Sequence, residues 1–258
     1  MLFTKMNGLG NDYIFIDSYY VAKHQIEYIK SNHAFLVPKL SDRNFGIGGD
    51  GVVLVEESSN ANAKMSIYNS DGSLAKMCGN ALRCIGKILC DRYPGSNRFL
   101  VETLSGTKKL EIINSFQNKA IIETEIGLPR IVNEVNDITF INVGNDHAVI
   151  YVKNLDDNVI NRAKLISNRY DVNVEVALIK DDLIQMRVWE RGAGETLACG
   201  TGASAVAYNS FLKGFCGRNV KLELKGGCLL AKYHNDSISL VGEAAINYIG
   251  EIDLKNYG

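Results

Sequence analysis

Two cysteines, each followed directly by glycine, are the residues of this sequence best suited to carry chemistry. Cys78-Gly79 and Cys199-Gly200 lie 121 residues apart in a chain of 258 residues, so each half of the chain holds one pair. Both pairs precede a segment with helical periodicity. A helix start offers unpaired backbone N–H groups and a partial positive charge, which favour a bound anion and lower the pKa of a thiol there. Glycine lets a ligand approach the backbone closely.

Two thiols placed in this way could invert a stereocentre. One thiolate would take the α-proton of a bound carboxylic acid while the opposite thiol returns a proton to the other face. The thiols would exchange roles for the reverse reaction, and their titrations would be coupled. Because an α-proton is a very weak acid, aimed N–H dipoles must stabilise the charge that develops on the carboxylate. This chemistry requires no cofactor, although a pyridoxal enzyme would also invert amino acids.

The remaining four cysteines give no sign of another role. The chain is long and has no secretory signal at its start, so we expect thiols in a reducing cytoplasm and not a disulfide framework. No Cys-x2-Cys pair occurs, and we therefore expect no metal. We interpret the following residues as packing or incidental thiols: Cys84, Cys90, Cys216 and Cys228.

The cysteine motifs belong to an internal repeat. Residues 67–81 read IYNSDGSLAKMCGNA, and residues 188–202 read VWERGAGETLACGTG. Gly-Asn-Asp also occurs twice before an apolar strand pattern, at 10–12 and at 144–146. Unless this is chance similarity in a glycine-rich chain, it predicts two related domains, 1–124 plus 241–258 and 125–240. Pseudo-two-fold symmetry would bring the two sites together in the cleft between the domains.

The elements that must position the thiols are two apolar helices among many strands. Helical periodicity covers residues 80–91 and 201–213, and both helices are apolar enough to be buried centres wrapped by strands. Asn80 and Thr201 are suitable N-cap residues. Weaker helices are predicted at 24–31 and 33–42, with Pro38 interrupting the second, and another at 156–168. The predicted fold class is α/β (α+β).

Composition excludes several classes of function. With 28 basic and 29 acidic side chains, the sequence gives no electrostatic case for nucleic acid. No apolar run is long enough to cross a membrane. The glycines at 46, 48, 49 and 51 lack the spacing of a dinucleotide-binding loop. We therefore expect a cytoplasmic protein that acts on a small molecule.

The sequence resembles the cofactor-independent diaminopimelate epimerases. The matching stretches follow one another in family order: KMNGLGND at 5–12, RNFGIGGDG at 43–51, NSDGS at 69–73, MCGNALRC at 77–84, GNDH at 144–147 and ERGAGETLACGTG at 190–202. The resemblance implies two α/β domains, each a set of strands around a central helix. It also implies interconversion of LL- and meso-2,6-diaminopimelate without a cofactor, on the route to lysine and peptidoglycan, in a homodimer.

The resemblance also implies roles for individual residues. Cys78 and Cys199 would be the acid/base pair, and His147 and Glu190 would tune the thiols. Backbone N–H groups at four positions would hold the reacting carboxylate: Gly79, Asn80, Gly200 and Thr201. Six side chains would contact the substrate: Asn11, Asn69, Asn145, Asn173, Glu190 and Arg191. A guanidinium can bind a distal carboxylate bidentately, which is the end that distinguishes diaminopimelate from simple amino acids.

Alternatives remain open at this point. The asparagines could serve turn chemistry, and Arg191 could form a surface ion pair with Glu190 or Glu195. Asp146 stands where the family usually has proline, Ala81 where it usually has glycine, and the segment between His147 and Asn173 is short. A racemase of another amino acid therefore competes with the diaminopimelate assignment. A silent amino-acid-binding module is a further alternative, which the presence of both thiols disfavours.

Overall fold

The computed structural model describes residues 1–181, 183–235 and 237–257. The chain divides into two compact units. Unit 1 comprises Met1–Thr124 and Glu243–Gly258, and unit 2 comprises Glu125–Gly242. Within the described ranges, no helix is both long and apolar enough to cross a membrane.

Seventeen strands and four α-helices are present in the described residues. The first eight strands are β1 (Leu2–Gly8), β2 (Asn11–Asp17), β3 (Gly51–Glu56), β4 (Ala63–Asn69), β5 (Leu74–Ala75), β6 (Arg98–Glu102), β7 (Lys108–Ser115) and β8 (Lys119–Gly127). The other nine are β9 (Arg130–Val135), β10 (Ile138–Asn142), β11 (Asp146–Tyr151), β12 (Asn173–Ile179), β13 (Leu183–Glu190), β14 (Gly194–Thr196), β15 (Asn219–Leu224), β16 (Gly227–His234) and β17 (Ser237–Glu251). The helices are α1 (Lys23–Ser41), α2 (Gly79–Arg92), α3 (Asp157–Tyr170) and α4 (Gly200–Leu212).

Strand pairing closes unit 1 into an eight-stranded barrel. The order is β1, β2, β3, β4, β6, β7, β8 and β17, and β17 pairs with both β8 and β1. The β2–β3 and β4–β6 pairs are parallel. Short β5 pairs only with β4 among the described strands, antiparallel to it. Because the strands enclose the interior, a helix that lies inside can be buried on all of its faces.

The same pairing pattern recurs in unit 2. Its β11–β12 and β13–β15 pairs are parallel, at the places that correspond to β2–β3 and β4–β6. Short β14 pairs with β13 as β5 pairs with β4. Neighbouring β15–β16 and β16–β17 are antiparallel hairpin partners. The internal repeat seen in the sequence is thus a repeat of strand topology.

Each unit contains one buried central helix. In unit 1, Leu82, Ile85 and Leu89 of α2 pack in one core with strand residues such as Phe15 and Ile122. In unit 2, the small and apolar side chains of α4 are almost wholly buried from 200 to 210 and contact β11, β12 and β16. The predicted α/β class, with strands around a central helix in each half, is confirmed.

One detail of the helices differs from prediction. Helix α1 continues through Pro38, which was expected to interrupt it, whereas its break at Asn32 (φ −120°, ψ 16°) falls between the two helices predicted at 24–31 and 33–42. The Asn32 side-chain amide donates to the carbonyl of Tyr28 at 2.8 Å, and such a local bond competes with regular helix geometry.

Cys84 on α2 is fully buried in the core, and burial raises its thiol pKa well above the ordinary value, which fits the packing role expected for it.

Candidate active site

The thiol residues are themselves the N-caps of the two central helices. Helices α2 and α4 begin at Gly79 and Gly200, and Cys78 and Cys199 immediately before them have extended backbone angles. The prediction that Asn80 and Thr201 are the N-caps is therefore wrong. Glycine occupies the first helical position in both units, so each helix starts directly after its cysteine, and at α4 the Cys199 sulfur also accepts from a backbone N–H of the first turn.

In unit 1, β2 supplies two side chains that contact the Cys78 sulfur. The Cys78 thiol donates to Asn11 Oδ1 at 3.5 Å, and the Tyr13 hydroxyl donates to Cys78 Sγ at 3.7 Å. Tyr13 is nearly fully buried, and its ring packs edge-on to Phe15. Burial and then the neighbouring Cys78 raise the pKa of Tyr13 well above its ordinary value, so its hydroxyl keeps the proton that it donates.

Asn11 is held by a chain of polar side chains. Its Oδ1 accepts from Asn80 Nδ2 at 3.1 Å, and its Nδ2 donates to Asp50 Oδ2 at 2.6 Å. Asn80 Oδ1 in turn accepts from the guanidinium of Arg83 at 2.6 Å. Arg83 is fully buried, and burial lowers its pKa. The predicted residues Asn11, Cys78 and Asn80 are thus brought together in unit 1.

Asp12 anchors the loop beside Asn11 through two cations. Lys5 Nζ lies 2.5 Å and Arg43 2.7 Å from its carboxylate oxygens. Burial alone would raise the pKa of Asp12, but the hydrogen bonds and charges of Arg43 and Lys5 outweigh it and hold the pKa below its usual value. This ion-pair cluster fixes the start of β2, where Asn11 and Tyr13 lie.

Asn69, at the end of β4, takes part in a turn. Its Nδ2 donates to Ser73 Oγ at 2.9 Å, and its backbone carbonyl accepts from the N–H of Gly72 at 2.8 Å. Asp71 completes the turn by accepting from the Ser73 backbone and hydroxyl. Asn69 therefore stabilises a turn, which is the alternative role that the sequence left open for it. Its side-chain amide also lies at the protein surface.

In unit 2, the Cys199 sulfur accepts from the helix start. The backbone N–H of Gly202 points to Sγ at 3.4 Å, and Thr201 Oγ1 lies 3.4 Å from the same atom. Even so, burial and then the charges of Glu190 and Glu175 raise the pKa of Cys199 well above its ordinary value. The expectation that the helix start lowers the pKa fails here, because desolvation and two carboxylates outweigh the N–H groups.

His147 lies beside this thiol in a fully buried hydrogen-bonded pair with Glu175. Its Nδ1 is 2.8 Å from Glu175 Oε1, with both side chains 0% exposed, and its Nε2 is 3.0 Å from Asn145 Oδ1. The ligand atoms of His147, Glu175 and Cys199 all lie within 4.8 Å of one another. These donor types can bind a transition metal, but the imidazole and carboxylate already use each other as hydrogen-bond partners.

Asn173 ties the Asp146 loop to the end of β13. Its Nδ2 donates to the carbonyl of Asp146 at 3.1 Å, and its Oδ1 accepts from the backbone N–H of Arg191 at 3.0 Å. The Arg191 guanidinium is half-exposed and pairs with Asp171 at 3.0 Å. The ion-pair partners that the sequence suggested for this arginine, Glu190 and Glu195, are therefore not the partner observed.

Glu190 and Glu195 use their carboxylates differently. The Thr196 hydroxyl donates to Glu190 Oε1 at 2.5 Å, which orients the Glu190 carboxylate at the end of β13. Glu195 instead pairs with Arg187 at 2.7 Å and with Lys225 at 2.9 Å. Of these two carboxylates, it is therefore that of Glu190 whose negative charge helps to raise the pKa of the Cys199 thiol.

Sequence reasoning missed Tyr13, Arg83 and Glu175. Tyr13 and His147 each follow a Gly-Asn-Asp triplet, so the repeat itself marks them as counterparts. Glu175 stands alone as a charge in the strand sequence NVEVALI at 173–179, where a buried strand would otherwise be apolar. Arg83 carried no such signal, because a cation on an apolar helix usually points to solvent.

Relatives with known names match almost the whole chain. The sequence profile of diaminopimelate epimerase matches residues 3–132 and 139–246. The diaminopimelate epimerase of Methanococcus maripaludis strain C6 is 38% identical, over 98% of this chain and 100% of that protein. That of Acetivibrio thermocellus is 40% identical, over 99% of both chains.

Solved structures of distant sequence share the fold. A phenazine biosynthesis protein of the PhzF family from Bacillus anthracis has a TM-score of 0.72 at 16% identity, over 98% of this chain and 99% of that one. A hydroxyproline epimerase from Agrobacterium vitis has a TM-score of 0.72 at 13% identity, over 98% of this chain and 90% of that one. The sequence matches over nearly the full length show that the chain belongs to the diaminopimelate epimerase family.

Proposed function

We propose that this chain is an isomerase that interconverts LL- and meso-2,6-diaminopimelate without a cofactor, in the supply of lysine and peptidoglycan precursors. The observation that carries the proposal is that each unit presents a thiol as the N-cap of its buried central helix, followed by glycine. The full-length similarity to named diaminopimelate epimerases supports the choice of substrate.

The reacting carboxylate would bind at the two helix starts. The first backbone N–H groups of a helix have no carbonyl partner within that helix, and the helix dipole favours an anion there. We assign this role to the N–H groups of Gly79 and Asn80 at α2 and of Gly200 and Thr201 at α4. Charge that develops on the carboxylate during proton removal would be stabilised by the same groups.

The two thiols would act on opposite faces of the α-carbon. In one direction the Cys78 thiolate takes the α-proton, the C–H electron pair moves into the carboxylate, and the Cys199 thiol returns a proton to the other face. The raised pKa of Cys199 supports its role as the acid in that direction, because the thiol remains protonated at neutral pH. The reverse direction exchanges the roles. The proposal requires that one substrate molecule meet both thiols.

Polar side chains would recognise the amino groups and the distal carboxylate. We assign Arg191 to the distal carboxylate, since its guanidinium is half-exposed and its partner Asp171 is a surface residue. His147 and Glu190 would tune the thiols. The other substrate contacts in the proposal are Asn11, Asn69, Asn145, Asn173 and Glu190.

Cytoplasmic location and a homodimer complete the proposal. All six cysteines are thiols in the structure, which fits a reducing compartment. Analytical ultracentrifugation across a concentration series tests the dimer: a sedimentation coefficient of the single chain at every concentration would reject it.

Isotope exchange tests the proposed substrate. The purified, chelator-treated chain is incubated in heavy water with LL-diaminopimelate and, separately, with L-proline, L-glutamate and L-lysine, each of which has a single α-carbon. We expect deuterium at one α-carbon of diaminopimelate and conversion to the meso form, with no exchange in the others. Faster exchange with another amino acid would instead identify a racemase of that amino acid, and absence of exchange in all of them would favour the silent binding module.

A further inference from the structure

A buried carboxylate on β12 is the least expected charge in unit 2. Glu175 is 0% exposed and lies in a strand whose other residues from 174 to 177 are buried and apolar. A carboxylate taken out of water costs several kcal/mol unless it is paired and hydrogen-bonded. Its Oε1 is paired with His147, and its Oε2 has no hydrogen-bond partner among the described residues. Packing alone would be served better by an apolar side chain.

The start of α4 is shaped to admit this carboxylate. A Cβ atom at Gly202 would lie 2.3 Å from Glu175 Oε1 and 2.8 Å from its Cδ, so a side chain at 202 cannot coexist with Glu175 in this position. Gly202 does not need its glycine for backbone reasons, since its φ is not positive. The helix start therefore leaves room for Glu175 within the turn that follows Cys199.

The carboxylate fixes the imidazole of His147. An ionised carboxylate only accepts hydrogen bonds, so His147 Nδ1 must carry the proton that they share over 2.8 Å. The other ring nitrogen, Nε2, lies 3.0 Å from Asn145 Oδ1; since an amide oxygen only accepts, this contact is a hydrogen bond when Nε2 carries a proton as well. Strands β11 and β12 are parallel neighbours, with His147 opposite Asn173, which places Glu175 along the same strand pair.

We propose that Glu175 is a positioning residue of the Cys199 half-site, which orients the His147 ring and keeps a negative charge beside the thiol so that Cys199 enters the reaction protonated. The part of this inference that concerns catalysis rests on the proposed function. The charged and titratable groups around Cys199 come from three strands: His147 on β11, Glu175 on β12 and Glu190 on β13. The direction of the Cys199 pKa, raised by burial and then by Glu190 and Glu175, agrees with it.

Glu175→Gln tests the inference with the shape of the side chain preserved. The amide still accepts from His147 Nδ1 through its oxygen, but the negative charge is removed. Alkylation of Cys199 by iodoacetamide is followed against pH by peptide mass spectrometry in substrate-free protein. We expect the midpoint to move to lower pH by about one unit. We also expect epimerase kcat to fall about 10- to 100-fold.

Glu223→Gln is the matched control, because Glu223 lies exposed on β15 of the same unit and contacts only the Gln185 side chain among the hydrogen-bond partners described. It should change neither the midpoint nor kcat. An alkylation midpoint for Glu175→Gln equal to that of Glu223→Gln would overturn the proposal. Because alkylation needs no substrate, this result is independent of whether diaminopimelate is the true substrate.

A measurement on the unaltered chain keeps the proposal testable if Glu175→Gln does not fold. Long-range ¹H–¹⁵N spectra of histidine-labelled protein, with His147→Asn used to assign the signal, report which ring nitrogen carries a proton. The proposal predicts a protonated Nδ1 on His147 at neutral pH. An unprotonated Nδ1 would contradict the pairing on which the positioning role depends.

Discussion

The Tyr13 hydroxyl donates a hydrogen bond to the sulfur of Cys78, across 3.7 Å, from within the core of unit 1. Tyr13 follows the first Gly-Asn-Asp triplet as His147 follows the second, so each unit directs a polar ring from the corresponding strand toward its own thiol region. The two rings differ in chemistry. The phenol offers the sulfur a hydrogen bond, whereas the imidazole is paired with a carboxylate.

Tyr13→Phe removes the donor and keeps the ring. A hydrogen bond to a charged group contributes about 1.5–3 kcal/mol, so loss of this donor should slow proton abstraction by Cys78 roughly tenfold or more. The melting temperature should change little, since the ring remains packed. Initial rates measured from LL- and from meso-diaminopimelate check this. Tyr68→Phe, at a buried tyrosine of a second core cluster in unit 1, is the control. A Tyr13→Phe enzyme that is as fast as Tyr68→Phe would contradict the role.

Gly202→Ala should disable the Cys199 half-site. Alanine is intrinsically better than glycine in a helix by about 1 kcal/mol, but the added Cβ would overlap Glu175 Oε1 at 2.3 Å. We expect the carboxylate to be displaced, with a fall in kcat and a lower melting temperature. Gly217→Ala is the control, because nothing lies within 4 Å of a Cβ there. Full activity in Gly202→Ala would show that Glu175 can move without consequence.

Arg191→Gln should weaken substrate binding without unfolding the protein. The guanidinium is half-exposed, and exposed ion pairs such as the one with Asp171 contribute only about 0–1 kcal/mol to stability. If this side chain binds the distal carboxylate, KM for diaminopimelate should rise about tenfold or more. Arg162→Gln removes a comparable surface pair with Asp137 and should leave KM unchanged. Equal KM values in the two variants would show that Arg191 forms only its surface ion pair with Asp171 and does not bind the distal carboxylate.

Acid titration should reveal the ion pairs of Asp12. Its pKa is below the usual value in the folded protein, so its contribution to stability is present above the unfolded pKa of about 4 and is lost as pH falls through the folded pKa. Arg43→Gln should therefore lower the free energy of unfolding at pH 7, and the difference from the unaltered chain should shrink toward zero below about pH 3.

The size of this effect is limited by solvent, because the Arg43 side chain is 59% exposed. We expect a loss at pH 7 of about 1 kcal/mol or less, measured by urea unfolding at several pH values. Arg98→Gln, at an exposed pair with Glu111, is the control and should show a smaller dependence on pH. A stability loss in Arg43→Gln that does not change with pH would contradict the assignment to Asp12.

Much of the architecture could be predicted because it depends on local patterns. The repeat around Cys78 and Cys199 predicted two similar units, and apolar periodicity predicted both central helices to within two residues at their starts. Their N-caps were wrongly predicted because Asn80 and Thr201 have side chains typical of caps, whereas the glycine before each takes the first helical position.

What the sequence did not predict depends on pairing between distant residues. The pKa of Cys199 could not be predicted, because it is determined by burial and by carboxylates on two strands, and the local helix-start argument has the opposite sign. Glu175 and His147 are 28 residues apart, and only the β11–β12 register brings them together.

The two-thiol mechanism is tested most directly by removing one thiol at a time. Cys78→Ala and Cys199→Ala are assayed in heavy water with LL- and with meso-diaminopimelate, and Cys228→Ala, at an exposed cysteine outside the helix starts, is the control. We predict that Cys228→Ala gives meso product with one α-deuterium, and that each of the other two variants loses inversion of both substrates. Inversion at the control rate by either Cys78→Ala or Cys199→Ala would contradict the mechanism.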